Sequence, residues 1–242
     1  IEMSYEGTAI DGPGVTRYQL RDSVVSYNTI RSDLWKDLIS VFCELLARTY
    51  PSAGVILPKD VETKIEGVVS PNVILGHFGA ITGTNSFEDV NALAVIGRQA
   101  VSPEFFEEQT SALTRQTVNN VGEQKWYDKA SRQIFYRDGL RGWAVETDVH
   151  PDPLVEAARK SLTTASLEQA LGRGRNVRRP QEKPLTEFVL TNTPTERLVD
   201  GTFSLNEFKA ATGWIGALLS SGIWLQPGKG AEILYFILKA QR

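Results

Sequence analysis

The chain has 242 residues, 26 Lys and Arg against 29 Asp and Glu, a net charge of −3 and 41% hydrophobic residues. That length allows one large domain or two modest ones, and the apolar fraction excludes a disordered chain. The mild acidity argues against a protein that coats nucleic acid, though not against a local basic patch.

No run of about 20 apolar residues occurs, so no membrane span is expected, and no signal peptide is read at the start. The sequence opens on Ile1 rather than Met and is expected to belong to something longer. Cys43 is the single cysteine and lies in an apolar helical pattern, so it reads as a buried small hydrophobe and the compartment as cytoplasmic. Two histidines and one cysteine, far apart, give no zinc pattern, and no metal ligand is assigned.

Residues 1–31 are polar and glycine-rich at first, then suggest one or two strands with a turn near Arg21-Asp22. Ser32 reads as an N-cap, and Leu34, Leu38, Ile39, Phe42, Leu45 and Leu46 follow at helical spacing until Pro51. Three continuous apolar runs, 53–58, 72–75 and 92–97, suit strands buried on both faces, with a short helix over about 60–67 between the first two. Strand, helix, strand in this order implies right-handed crossovers in a parallel α/β sheet flanked by helices. Ser102-Pro103-Glu104 opens a helix to about Arg115. Residues 116–140 read as a partly helical insertion, 142–149 as a strand, and 153–162 and 165–172 as two helices. His150, before Pro151, reads as a turn or capping residue. A strand covers 187–192. The tail, 201–242, reads as a small α+β extension with a helix around Leu205–Leu219, a stop at Gly222 and a strand over 232–238. Gly222 to Lys229 only loosely matches a phosphate-binding loop: its spacing is one residue too long, and Gly230 stands where Ser or Thr is needed.

Two stretches carry the chemistry. The first is Leu167-Glu168-Gln169-Ala170-Leu171-Gly172-Arg173-Gly174-Arg175, a helix end running into a Gly/Arg loop, with Arg178 and Arg179 just beyond. Glycine lets the backbone approach a ligand, and the arginine fork suits phosphate. The second is His77 to Asp89, a long loop between buried strands, with Gly79, Gly83, Asn85 and Asp89. Loops of that length inside a compact domain are more often functional than not. In parallel sheets the ligand end is the carboxyl edge, so Lys59, this loop and Arg98 are expected there together.

Taken together the two stretches resemble the second RecA-like lobe of a superfamily 2 helicase or translocase, of the kind found in phage and plasmid primase–helicase proteins. Gln169-x-x-Gly172-Arg173-x-Arg175 resembles motif VI, the arginine-finger motif. The segment from His77 to Arg98, with Gly83, Asn85, Phe87 and Asp89, resembles motif V, and Gly54–Pro58 with Lys59 stands where motif IV belongs. The resemblance covers about residues 50–195, between an N-terminal segment (1–50) and the extension (201–242). It departs at Asn176, which occupies the position, seven after the glutamine, where many members carry the second arginine.

The resemblance implies a P-loop NTPase type of fold without its own phosphate loop. ATP and Mg²⁺ would be bound mainly by a first lobe supplied elsewhere. Arg173 and Arg175 would act on the γ-phosphate, with Gln169, Gly172, Gly83, Asn85 and Asp89 around the nucleotide. Lys59, Thr82 and Arg98 would touch the backbone of DNA, expected single-stranded, without reading sequence. Two other readings stand beside this one. One is a non-catalytic helicase-like module that binds nucleic acid or a replication partner. The other is an unrelated Rossmann-like enzyme using the His77–Asp89 loop, which lacks a Gly-x-Gly-x-x-Gly turn.

Overall fold

In a computed structural model the chain is described over residues 11–213, apart from Thr82, Thr84 and 123–125. Strand β1 (Val15–Leu20) leads through the one-turn helix α1 (Tyr27–Ile30) into α2 (Asp33–Thr49). Then come β2 (Ala53–Leu57), α3 (Lys59–Ile65), β3 (Val73–His77) and β4 (Ala92–Ile96). Helix α4 (Pro103–Thr114) precedes a hairpin of β5 (Asp128–Phe135) and β6 (Gly142–Val149). The long helix α5 (Pro153–Gly172), a 3-10 turn (Asn176–Arg178), β7 (Leu185–Leu190), β8 (Gly201–Phe203) and α6 (Leu205–Thr212) complete the order.

Six strands form one sheet in the order β3-β2-β4-β7-β1-β8, with every pairing parallel. This is an α/β architecture with helices on both faces. Both β2 and β4 are buried along their whole length, so their side chains divide between two cores. Val55, Leu57, Ala94 and Ile96 join α2 on one face, and Ile56, Leu93 and Val95 join α5 on the other. The one sheet takes strands from all three expected segments: β1 comes from residues 1–50 and β8 from beyond 200.

The apolar stripe of α2 buries Leu38, Ile39, Phe42, Leu45 and Leu46 as expected. Leu34, counted in that stripe, is instead 60% exposed, and Trp35 turns inward to stack on Phe208 with ring centroids 5.8 Å apart. Cys43 is buried in the same core, and burial pushes its thiol up to about 12.

On the α5 face the sheet also carries a buried charged layer. Arg17 of β1 donates from Nε to Glu187 of β7 at 2.7 Å and from Nη1 to Asp11 at 2.8 Å. Both Arg17 and Glu187 are fully buried, so this pair fixes β1 beside β7. Burial alone would lower the guanidinium, but Glu187 and Asp11 reverse that and hold it charged. Asp11 also accepts from Arg197 Nη1 at 3.1 Å, and Arg197 Nε donates to Glu168 of α5 at 2.5 Å.

Several expectations are corrected. The insertion is not partly helical where it is described beyond Trp126: residues 128–135 pair antiparallel with 142–149 at eight positions. That strand is mostly exposed and polar, so no apolar alternation announced it; the hairpin closes at Asp138-Gly139, with Gly139 at φ 69° and Asp138 accepting from the Leu140 and Arg141 amides. Residues 153–172 form one helix, not two, because Thr163, Leu167, Ala170 and Leu171 continue a single buried face. The strand expected over 187–192 runs from Leu185 to Leu190. Of the one or two strands expected in the leading segment, the described residues hold one, followed by a helical turn. The helix expected at 205–219 is described over Leu205–Thr212; Gly222, the rejected 222–230 match and the 232–238 strand lie outside the described residues.

Candidate functional site

Asn85 to Asp89 and the Gly/Arg loop meet at the amino edge of the sheet. The loop after β3 starts at the carboxyl edge and crosses the sheet face, burying Ile81, Phe87 and Val90 against α5 and β4. By Glu88 it has reached the start of β4. Helix α5 runs the same way and delivers residues 173–184 to the start of β7. The expectation of one ligand edge for Lys59, this loop and Arg98 is therefore corrected: Asn85 and Asp89 belong to the opposite edge, because a parallel connection must return to where the next strand begins.

At the amino edge, Arg175 Nη2 donates to Asn85 Oδ1 at 3.0 Å and lies 3.5 Å from Glu88. Arg175 has a left-handed backbone, φ 55°, which turns its side chain out of the loop, where it is about half exposed. Arg179 is buried; its Nε donates to the Gly174 carbonyl at 2.7 Å and its Nη2 to the Glu88 carbonyl at 2.6 Å. Burial lowers its guanidinium below the usual range, against the pull of Asp89 and Glu187. It clamps the two segments together. Glu88, Asp89, Arg175, Arg178, Arg179 and Lys183 line an open cleft of about 340 Å³.

The loop is held from below. Asn176 Nδ2 donates to Glu187 Oε1 at 3.1 Å, and its carbonyl accepts from Gly12 N at 2.8 Å. Asn176 is thus a buried anchor that faces inward. Gly14 sits so near that an added Cβ would lie 2.1 Å from the Pro180 carbonyl oxygen. Gly174 is similarly confined: a Cβ there would lie 2.7 Å from Leu185 Cδ2.

The remaining candidates divide. Arg173 caps α5, half-buried, and does not line the cleft. Gln169 is exposed on α5, and Gly172 and Gly83 have open space where a Cβ would stand, Gly83 with φ 78°. Lys59 is exposed at the carboxyl edge, as the first residue of α3. Arg98 is also at that edge but buried, donating to Asp148 and, at 3.5 Å, to Thr193 Oγ1. Thr82 lies outside the described residues. His150 is structural: its Nδ1 accepts from the Asp152 amide at 3.0 Å, so Nε2 carries the proton and donates to Glu107 at 3.0 Å. Glu88 and Lys183 were missed; neither has a spacing signal, and only the folded loop brings them to Arg175.

The cleft suits phosphate oxygens. Three of its cations, Arg175, Arg178 and Lys183, are exposed, and the two acids sit on one wall. Among the described residues no three His, Cys, Asp or Glu gather as a metal cluster, and no helix is long and apolar enough to cross a membrane. Comparisons with protein-family models, with curated proteins and with solved structures each give no match.

Proposed function

We propose that this chain is the second, RecA-like lobe of an ATP-dependent DNA helicase or translocase, and that Arg175 serves an ATP held mainly by another lobe. One observation carries the reading: Arg175 and Asn85, 90 residues apart, touch at 3.0 Å, joining the two segments on which the resemblance rests. In the free lobe Asn85 and Glu88 hold the guanidinium at the mouth of the cleft. A γ-phosphate is a stronger acceptor than either, so lobe closure transfers the fork from them to the phosphate. An arginine so placed contributes on the order of 10³–10⁵ in rate by stabilising charge in phosphoryl transfer.

Arg178 and Lys183 add positive potential at the same wall, and Asn85 and Asp89 sense whether Arg175 is engaged. Gly172 and Gly83 leave their backbone open to the nucleotide, and Gln169 and Arg173 support the finger from the helix end. Mg²⁺ neutralises phosphate charge when ATP is bound, and its ligands come from the other lobe. Lys59 faces a single strand of DNA at the carboxyl edge, with Arg98 behind it, and Thr82 is assigned to the same strand from the resemblance alone. The reduced thiol of Cys43 suits work in the cytoplasm.

Glu88 and Asp89 offset part of the cleft's charge, which favours one second reading: a non-catalytic module that binds nucleic acid or a replication partner. ATP turnover separates the two. The catalytic reading expects DNA-stimulated hydrolysis in the longest native protein containing this chain, none in the chain alone, and collapse in Arg175→Gly. DNA binding without hydrolysis in any form establishes the binding module.

A further inference from the structure

A second basic pocket, of about 580 Å³, opens on the carboxyl side of the sheet, away from Arg175. Four elements converge on it. Arg98 comes from the end of β4, Arg132 from the hairpin, Arg159 and Lys160 from α5, and Thr193 from the segment after β7. Its two acids are Glu168 and Glu196.

The charges are unequally committed. Arg98 is buried on Asp148, which Lys129 also engages. Arg159 grips Glu156 with both Nε, at 2.7 Å, and Nη2, at 2.9 Å. Glu168 is taken by Arg197 and by the Glu196 amide. Lys160, half-exposed, is 3.9 Å from the Glu156 Oε1 that already accepts from Arg159 Nη2. Arg132 is exposed and forms no ion pair among the described residues. Lys160 is therefore only loosely held by Glu156, Arg132 pairs with no carboxylate among the described residues, and both bring positive charge to a cavity whose other acid, beside Glu168, is Glu196. The rest of the lining is rich in hydroxyls, Ser161, Thr164, Thr193 and Thr195, and among the described residues no aromatic ring lines it. Such a wall offers donors to oxyanions and no platform for stacking a base. The volume is that of a small-molecule site, several times a single phosphate group.

We propose that this pocket binds a ligand with two or more phosphate groups through Arg132 and Lys160, with Arg98 and Arg159 as buried positioning residues. Two sources share that chemistry: the phosphodiester backbone of a single strand, and a free polyphosphate chain. The inference does not rest on the reading of the Arg175 cleft, which lies at the other edge.

The test is fluorescence anisotropy of a labelled oligothymidylate on this chain, with unlabelled inorganic tripolyphosphate as competitor. It compares wild type, Arg132→Gln/Lys160→Gln, and Lys64→Gln, an exposed lysine of α3 that lines neither cavity. Both pocket side chains are exposed, so the double variant keeps its thermal midpoint. The expected result is a rise in Kd of about tenfold or more in the double variant, a salt dependence shallower by about two counterions, and wild-type behaviour in Lys64→Gln. Competition by tripolyphosphate at concentrations that depend on Arg132 and Lys160 assigns the pocket to free polyphosphate; oligonucleotide binding without such competition assigns it to the strand. Wild-type affinity for both probes in Arg132→Gln/Lys160→Gln, or no binding of either probe by wild type, overturns the proposal.

Discussion

Arg175 is the residue on which the functional reading turns, and its backbone explains why. A non-glycine residue at φ 55° carries left-handed strain of roughly 1 kcal/mol. The neighbouring glycine cannot exchange places with it, because Gly174 is wedged against Leu185. Arg175→Gly is therefore expected to leave the urea midpoint unchanged or slightly higher, since the contacts to Asn85 and Glu88 are exposed and worth less than about 1 kcal/mol. It removes the guanidinium while keeping the fold. A marked fall in the midpoint would mean that Arg175 is structural. Cys43 gives a second residue-scale test. With its thiol pushed up to about 12 by burial, it should resist a thiol reagent at about pH 8 until the protein unfolds. Rapid labelling in native buffer would contradict the packing of α2. The sequence pointed equally at Arg173 and Arg175; only the left-handed turn at 175 separates a cap from an outward fork.

At the scale of elements, the Gly/Arg loop is rigid because of what lies beneath it. Asn176 ties it to Glu187, Glu187 to Arg17, and the Asp11–Gly14 segment closes over Arg179 and Pro180. Arg17→Ala leaves Glu187 buried without its cation and should cost about 3–5 kcal/mol in equilibrium urea unfolding. The double variant Arg17→Met/Glu187→Leu should recover most of that loss, because the charged pair is replaced rather than broken. No recovery would show that the pair has a specific role beyond mutual compensation. This layer also explains what was and was not legible. The runs at 53–57 and 92–96 are apolar throughout and suited strands buried on both faces, as which they fold. Strand β1 carries Arg17 and Gln19, both fully buried, and such residues read from sequence as surface. The hairpin strand β5 is polar because it is largely exposed, so pairing rather than burial defines it. The long α5 looked broken because Thr163-Thr164 are poor helix formers, and tertiary burial of Thr163 overrides that preference.

For the molecule as a whole, the sheet separates two basic regions by the length of its strands. One is the Arg175 cleft at the amino edge, the other the Arg132 pocket at the carboxyl edge. The parallel architecture was readable from the order of apolar runs, but which edge each loop serves was not, because that depends on how far the chain travels before the next strand begins. Stability against pH follows from the same buried charges. Burial raises Asp11, Asp148 and Glu156, but Arg17 outweighs it for Asp11, Lys129 with Arg98 for Asp148, and Arg159 for Glu156, so all three end below their ordinary range. Their folded forms give up protons more readily than the unfolded chain, so their stabilisation is present above about pH 4 and is lost as pH falls through the depressed values. Glu187, raised by burial, runs the other way. Glu44, Asp138, Asp152 and Glu207 are lowered as well, so the urea midpoint should fall steeply below about pH 4; a midpoint that holds there would contradict these ion pairs. The central claim is tested most directly by ATP hydrolysis in the longest native protein that contains this chain, with and without single-stranded DNA, wild type beside Arg175→Gly. The account predicts DNA-stimulated turnover that falls by about 10³ or more in the variant while the fold is kept. Turnover undiminished in Arg175→Gly would contradict it.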